Sequence, residues 1–413
     1  MHLLYHGMKT FNVPITYRSP LITAIKNARK AADRLKKDFT PTLLKLGDLH
    51  IYLARHFGFC YGVENAIEIS FRTIDSHPGK RIFLLSEMIH NPQVNADLQS
   101  RGVQFLQDTN GNQLIPFEEL TPDDVVIIPA FGTTLEIESK LNALGIPVEK
   151  YNTTCPFVEK VWNRSAQIAQ KGYTIVIHGK PKHEETRATF SHAAQNAPSV
   201  IVNDMAEAMN LAKYITGEKP AEQFYIDFAG RYSQGFDATQ HLQRIGVVNQ
   251  TTQLATDTQA IAEYLKQTIQ SHYGTTEERF ADTRDTLCYA TNDNQTAVNG
   301  MLQTPADIAL VVGGYNSSNT THLVELCELQ LPAFFINSAE KILSRENILH
   351  YNFHTKEEQL TVNYLPANKP ARILITSGAS CPDAIVEAVI RKLAGFYGVE
   401  EQIEEAIIQF TNQ

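Results

Sequence analysis

The chain has 413 residues, 43% of them hydrophobic and 20% charged, with a formal net charge of −9. That length predicts two or three globular units rather than one core, and the acidic balance argues against a nucleic-acid partner, which selects a basic face. Five cysteines in such a chain make no disulfide scaffold and fit a reducing compartment, so the expected location is the cytoplasm.

Residues 1–49 read as an N-terminal extension. Within it, residues 17–40 are basic, and Ile22, Ile25 and Leu35 share the face of a predicted surface helix. Asp33 and Asp38 interrupt the positive charge, which argues against a transit peptide, and no compact apolar core marks a secretory signal. No stretch approaches the ~20 apolar residues of a membrane span, so no membrane partner is expected.

Beyond residue 50, strand-like runs alternate with helix-like ones. The strands are expected in HIYLARHF, RIFLLSEMI, DVVIIPAF, YTIVIHGK, IGVVNQT, DIALVVGG, PAFFINS and ARILITSG. Helices are expected over 63–74, 157–170, 256–270, 318–329 and 383–393. Alternation of this kind predicts an α/β fold: three α/β domains with mainly parallel sheets, over 50–155, 156–284 and 285–413. The aromatic and polar stretch 217–244 shows no clean periodicity and reads as a surface insertion.

Three cysteines dominate the chemistry. Cys60 in FGFCYGV, Cys155 in TTCPFVE and Cys288 in TLCYATN each follow a strand-like run and stand at or near a helix start. Loops at the carboxyl ends of strands are where open α/β sheets build sites. Pro156 suits a first helical turn, which places Cys155 at the positive end of a helix dipole, where thiolate is favoured. Three thiolates from three such loops would hold a metal centre with one position free, the arrangement used for catalysis. Any one of them alone is more simply a buried apolar cysteine. Cys327 sits at core-facing helical spacing, and Cys381 lies in a loop but is not expected as a ligand.

A second set of residues lies in polar loops: His90-Asn91-Pro92, His183-Glu184-Glu185-Thr186, Asn249-Gln250-Thr251-Thr252, Asn316-Ser317-Ser318-Asn319 and Ser377-Gly378-Ala379-Ser380. Helix capping explains part of each. NSSN after VVGGY and GAS after ARILITS also suit a phosphate cradle. Neither GxGxxG at a first βα turn nor GxxxxGK[ST] is present, so a compact phosphate ester or diphosphate fits better than a nucleotide. His183 and Glu185 form the expected acid/base element, since a carboxyl in a dry pocket holds a proton near neutral pH.

Taken together, FGFCYGVENAI, HNPQV, TTCPFVEKVW, HEET, NQTT, CYAT, NSSNTTHL and SGASCPD resemble, in order, the signature segments of the 4-hydroxy-3-methylbut-2-enyl diphosphate reductase family. The resemblance runs from about residue 50 to about residue 395. It implies three α/β domains around a central cavity and a [4Fe–4S] cluster held by Cys60, Cys155 and Cys288. The implied reaction is the last step of the non-mevalonate isoprenoid pathway. The substrate hydroxyl binds the open iron and leaves as water, and protonation at either end of an allyl-anion-like intermediate gives isopentenyl or dimethylallyl diphosphate. His90, His183, Ser317, Ser318, Asn319 and Ser380 match the diphosphate binders. Glu185 matches the proton-relay carboxylate, and Thr251 or Thr252 its threonine.

One position departs from the best-known bacterial pattern. Where those sequences have a histidine, this one has Phe131 in PAFGTT, so a diphosphate contact is lost or is made by groups such as Thr133 or Thr134. PAFG, the long N-terminus, VWN after Cys155 and the 217–244 stretch resemble the plant and cyanobacterial branch, which typically takes electrons from ferredoxin. The partners implied are a small diphosphate and an electron donor such as ferredoxin or flavodoxin. The rival readings are a non-catalytic iron–sulfur carrier or redox sensor, which would not need the polar loops, and a zinc phosphate-ester hydrolase.

Overall fold

The computed structural model describes residues 11–281, 283 and 286–412. Three sheets form its framework. The largest runs in the order Thr42–Leu46, Leu49–Leu53, Ala371–Ser377, Ile308–Val312, Ala333–Ile336. A three-stranded sheet runs Gln104–Phe105, Ile82–Leu84, Val125–Ile127. A four-stranded sheet runs Ser199–Val202, Thr174–His178, Ile245–Asn249, Phe280–Ala281. All pairings in these sheets are parallel except the hairpin of Thr42–Leu46 with Leu49–Leu53. Helices cover both faces, so the central strands are buried at every residue, which is why they read as continuous apolar runs rather than alternating ones. The edge strand Thr42–Leu46 buries only alternate side chains. No helix among the described residues is long and apolar enough to cross a membrane.

The expected strands and helices are present, with two changes in how they assemble. Leu49–Leu53, read as opening the first unit, pairs instead with Ala371–Ser377, Leu49 opposite Ala371. The N-terminal segment therefore joins the sheet built by the C-terminal third. Its helix Pro20–Ala32 buries Leu21, Ile22 and Ile25 in that core, against Val386, Val389 and Ile403. Leu35, expected on the same face, lies beyond the helix and is 71% exposed. The unit boundary expected at 284–285 falls outside the described residues.

The stretch 217–244 is not a surface excursion. It contains the helix Ala221–Asp227 and buries Phe224, Phe228, Phe236 and Leu242. Phe224 stacks on Phe228 and Phe236 with ring centroids 5.0 and 4.9 Å apart. Tyr232 adds an antiparallel bridge to Val200, so the stretch closes the free edge of the four-stranded sheet. Covering an edge in this way blocks pairing with other chains.

The chain moves from one core to another at each of the three cysteines. Cys60 lies between Leu49–Leu53 of the five-stranded sheet and the helix Tyr61–Ser76, whose Val63, Ile67 and Phe71 pack in the three-stranded unit. Cys155 precedes Pro156–Ala169, whose Val161 and Ile168 pack on the four-stranded sheet. Cys288 precedes Tyr289–Met301, which returns Val298 and Met301 to the five-stranded core.

Candidate active site

All three cysteines line one partly open cavity. Each is the residue that caps the start of its helix: Cys60, Cys155 and Cys288. Their backbone N–H groups are tied across the cavity wall, Cys60 to the Ala379 carbonyl at 3.2 Å, Cys155 to Ala130 at 2.9 Å and Cys288 to Thr251 at 3.2 Å. Three helix N-termini thus point positive ends at the same space, which favours an anionic group there. Gly62 makes the approach possible: its Cβ would stand 2.5 Å from Cys155 Sγ.

Burial pushes the Cys60 and Cys155 thiols up to about 12, and the charges of the neighbouring cysteines push the same way. Burial also raises Cys288, opposed by the hydrogen bonds from Thr291. Thiols that oppose one another's ionisation bind as thiolates only around a shared positive charge. Among the described residues no three His, Cys, Asp or Glu side chains are grouped to hold a single metal ion. Three sulfurs spread around one cavity, each at a helix N-terminus, fit a larger cationic core such as an iron–sulfur cluster.

The same cavity is lined by His90, His183, Ser317, Ser318, Asn319 and Ser380. His183 caps the helix Glu184–Ala194, its Nδ1 accepting from the Glu185 N–H at 3.2 Å. Burial, with His90, Lys180 and Arg187 nearby, holds its pKa well below the usual histidine range. The ring is therefore neutral, and this hydrogen bond assigns the proton to Nε2. Ser317 caps Ser318–Glu328 by accepting from the Thr320 N–H at 3.2 Å. Asn319 Oδ1 accepts from the Ala379 N–H at 3.0 Å, while its Nδ2 has no hydrogen-bond partner among the described residues. Ser380 donates to the His90 carbonyl at 3.2 Å, and the His90 ring nitrogens face the Glu87 and Glu184 carboxylates at 3.5 and 3.7 Å, with no hydrogen-bond partner among the described residues. Buried polar groups are normally paired, so the partnerless amide nitrogen of Asn319, a residue of the cavity wall, suits a polar ligand.

Glu185, near enough to Cys155, Cys288 and His90 for their charges to interact, is 1% exposed. Its Oε1 accepts from the Thr251 N–H at 2.5 Å and its Oε2 from the Thr251 hydroxyl at 3.0 Å. Burial pushes its carboxyl up to about 7, against the pull of those hydrogen bonds. Of the two threonines left open by the sequence, Thr251 is thus the one that touches Glu185. Thr252 lines the cavity but accepts from Gln250 Nε2 at 2.7 Å.

Phe131 lies flat against His90, ring centroids 4.3 Å apart at 22°, and edge-on to His183 at 5.6 Å. With Phe131 in this place, the sequence leaves a ligand contact to be lost or to be made by groups such as Thr133 or Thr134. Neither is among the residues lining the cavity, and the Thr134 hydroxyl caps the helix Leu135–Ala143. Cys327 and Cys381 are fully buried in the five-stranded core and are not among the residues lining the cavity.

Two residues at the site escaped the sequence reading. Glu184 bonds to the Ser86 hydroxyl and lies 3.7 Å from His90 Nε2, its carboxyl raised by burial to about 7. Gln250 is fully buried, and its amide links Lys180, Thr186, Thr252, Gln253 and Ser318. Both stood inside the HEE and NQTT loops, and an unbroken run of polar residues after a buried strand was the available signal.

The LytB protein family profile matches residues 51–394. The chain belongs to the LytB family. Curated relatives of this LytB chain named 4-hydroxy-3-methylbut-2-enyl diphosphate reductase come from cyanobacteria. One from Picosynechococcus is 39% identical over 353 residues, 85% of either chain. One from Gloeobacter violaceus is 36% identical over 364 residues, 87% of this chain and 85% of the relative. Two solved structures share the fold. One is titled as (E)-4-hydroxy-3-methyl-but-2-enyl diphosphate reductase, the terminal enzyme of the non-mevalonate pathway; it is 24% identical with a TM-score of 0.51 over 84% of this chain and 99% of that one. The other is the reductase from Plasmodium falciparum, 21% identical with a TM-score of 0.60 over 84% of this chain and 88% of that one.

Proposed function

We propose that this LytB chain is an iron–sulfur oxidoreductase that reductively removes the hydroxyl of 4-hydroxy-3-methylbut-2-enyl diphosphate, giving isopentenyl and dimethylallyl diphosphate. The observation that carries this reading is the set of groups that line one cavity: three cysteines at helix N-termini, Glu185 with Thr251, and polar donors from several loops. Cys60, Cys155 and Cys288 would hold a [4Fe–4S] cluster, which when bound supplies electrons and a Lewis acid for the departing hydroxyl.

The protein's own groups do the rest. The N–H of His183, the Asn319 amide and the hydroxyls of Ser317, Ser318 and Ser380 hold the diphosphate, with the N-terminus of Ser318–Glu328 behind them. These donors carry no charge, so they fix the ligand through direction as much as attraction. His90 completes the set, held against Phe131. Glu185, poised near pH 7, delivers a proton toward the hydroxyl, and the Thr251 hydroxyl at 3.0 Å relays its replacement. Two electrons and two protons enter per turnover, and one water leaves. All five cysteines are unpaired, and the cytoplasm is the compartment proposed.

Anaerobic reconstitution tests this. About four irons and four sulfides per chain are expected, as one cubane requires, together with conversion of the hydroxylated diphosphate to both products by dithionite-reduced methyl viologen. A colourless, zinc-containing, air-stable protein without that conversion would overturn it.

A further inference from the structure

A second cavity shares part of its wall with the first. His90, His183 and Ser318 line both, and all three belong to the proposed diphosphate set; none of the cysteines lines the second. Three parts of the chain build it. Thr109 and Asn110 come from the segment after Gln104–Phe105, Lys180 and Lys182 from the loop after Thr174–His178, and Tyr315, Tyr351, Phe353 and Lys356 from the C-terminal third. Arg187 ties the first of these in place by donating to the Thr109 carbonyl at 3.1 Å, and any side chain at Gly111 would meet its guanidinium. The hairpin of Asn347–Asn352 with Glu357–Val362 carries Tyr351, and its turn carries Phe353 and Lys356. Tyr351 stacks on Tyr315, ring centroids 4.4 Å apart at 8°, and the Tyr315 hydroxyl donates to Glu358 at 2.8 Å. The hairpin is thus braced on the residue that opens the Asn316–Asn319 loop of the first cavity.

Charge in this second cavity is positive. Lys180, Lys182 and Lys356 line it, and among the described residues none of their ammonium groups has a hydrogen bond or an ion pair. Lys182 and Lys356 are exposed, whereas Lys180 is half-buried and its backbone N–H is pinned to Gln250 Oε1 at 3.1 Å. Burial holds the Lys180 pKa below the usual lysine range; the charge of Glu325 pulls against that and the charge of Lys356 adds to it. The acids here are already engaged. Glu325 pairs with His322 Nδ1 at 2.6 Å, and Glu184 bonds to Ser86 with its carboxyl raised by burial to about 7. A half-buried ammonium without a carboxylate partner suits an incoming anion. The chain as a whole has a net charge of −9, so its field repels a diphosphate at a distance. Cations at one opening reverse that locally, within a Debye length of ~8 Å at physiological salt.

We infer that the second cavity is the substrate's entrance, an outer seat in which Lys180, Lys182 and Lys356 capture the diphosphate before His90, His183 and Ser318 take it up. The inference rests on the reductase reading for the identity of the substrate. Stacked Tyr315 and Tyr351, with Phe353 beside the same space, give the five-carbon chain an apolar shelf. Lysines act at range and bind phosphate as point charges, without fixing its orientation. The neutral donors of the first cavity act only at contact and fix direction. Capture and positioning therefore fall to different residues.

The test is the double variant Lys182→Glu with Lys356→Glu, in the reconstituted and oxidised holoenzyme, where no turnover occurs. Calorimetric titration with inorganic diphosphate should count two sites per wild-type chain and one per variant chain. The hydroxylated diphosphate is then mixed in by stopped flow, and binding is followed in the visible absorption of the iron–sulfur centre. The variant's association rate constant should fall at least about tenfold at low salt and lose most of its salt dependence, with the amplitude at saturation kept. Lys356→Gly, which suits the left-handed backbone at φ 60° and removes only the side chain, should show a smaller fall of the same kind. One diphosphate site in wild type, or two in the double variant, would overturn the outer seat. Loss of one site with unchanged association of the hydroxylated diphosphate would overturn its role as the entrance. A wild-type holoenzyme that binds inorganic diphosphate but not the hydroxylated diphosphate would instead overturn the reductase reading, with the count of inorganic diphosphates still deciding the seat.

Discussion

The two ends of the cavity are built on different principles. At the sulfur end, three identical side chains each occupy a helix cap, and each comes from a point where the chain leaves one core for another. In the polar set, six side chains of three residue types share one task, and several also cap helices or brace neighbours. The first end has no redundancy: a centre held by three thiolates loses a third of its protein ligands with one substitution. The second is distributed, so one loss leaves the others in place. Charge differs as well. The sulfur end gathers groups that repel one another's ionisation, whereas the polar end holds its histidine neutral.

This contrast predicts a graded response. Cys155→Ser should abolish both iron retention and turnover, and full iron content by metal analysis would break the contrast at its strongest point. Glu185→Gln, between the ends, should keep iron and diphosphate binding while kcat falls ~100-fold, the usual scale of a general acid. Single-turnover kinetics would show whether the chemical step is the one slowed.

Glu184 gives a pH signature at the polar end. Burial raises its carboxyl from an ordinary value of 4.5 to about 7 in the folded protein. Folding therefore favours the protonated form. Its contribution is fully present below about pH 4.5 and is lost as pH rises through about 7. Glu184→Gln, which mimics the protonated acid, should match wild-type stability near pH 4 and exceed it by about 2–3 kcal/mol above pH 7. Urea midpoints of the apoprotein across that range would check it, and parallel curves would remove the effect.

Gly62→Ala brings a methyl group against Cys155. It should destabilise by about 1–3 kcal/mol, as overpacking does, and reduce iron retention without touching the diphosphate donors. Ser317→Ala is the mildest change. Loss of its helix cap costs about 1 kcal/mol, and KM should rise only several-fold with kcat nearly intact. A loss of activity as large as that of Cys155→Ser would show that the polar end is not distributed after all.

Much of this was legible in the chain. The central strands announced themselves because burial on both faces forces unbroken apolar runs, and Pro156 and Ser317 marked helix starts through local chemistry alone. What escaped was non-local or directional. Nothing near Leu49 says that its partner is Ala371. Thr251 and Thr252 are chemically alike, and only the turn that follows Ile245–Asn249 decides which hydroxyl meets Glu185. Phe131 was visible as a substitution, but its stacking on His90 depends on loops from two different segments. The aromatic insert was misread for a different reason. Phe224, Phe228, Tyr232 and Phe236 recur every four residues, a spacing that signals one packed face, and the intervening polar residues obscured it.

Because each of Cys60, Cys155 and Cys288 sits where the polypeptide crosses between folding units, the iron centre proposed there would act as a rivet through three plates. Its loss leaves each plate whole but frees them to shift against one another. Oxygen damage should then register first as swelling and as protease cuts beside residues 60, 155 and 288, well before any helix or strand melts.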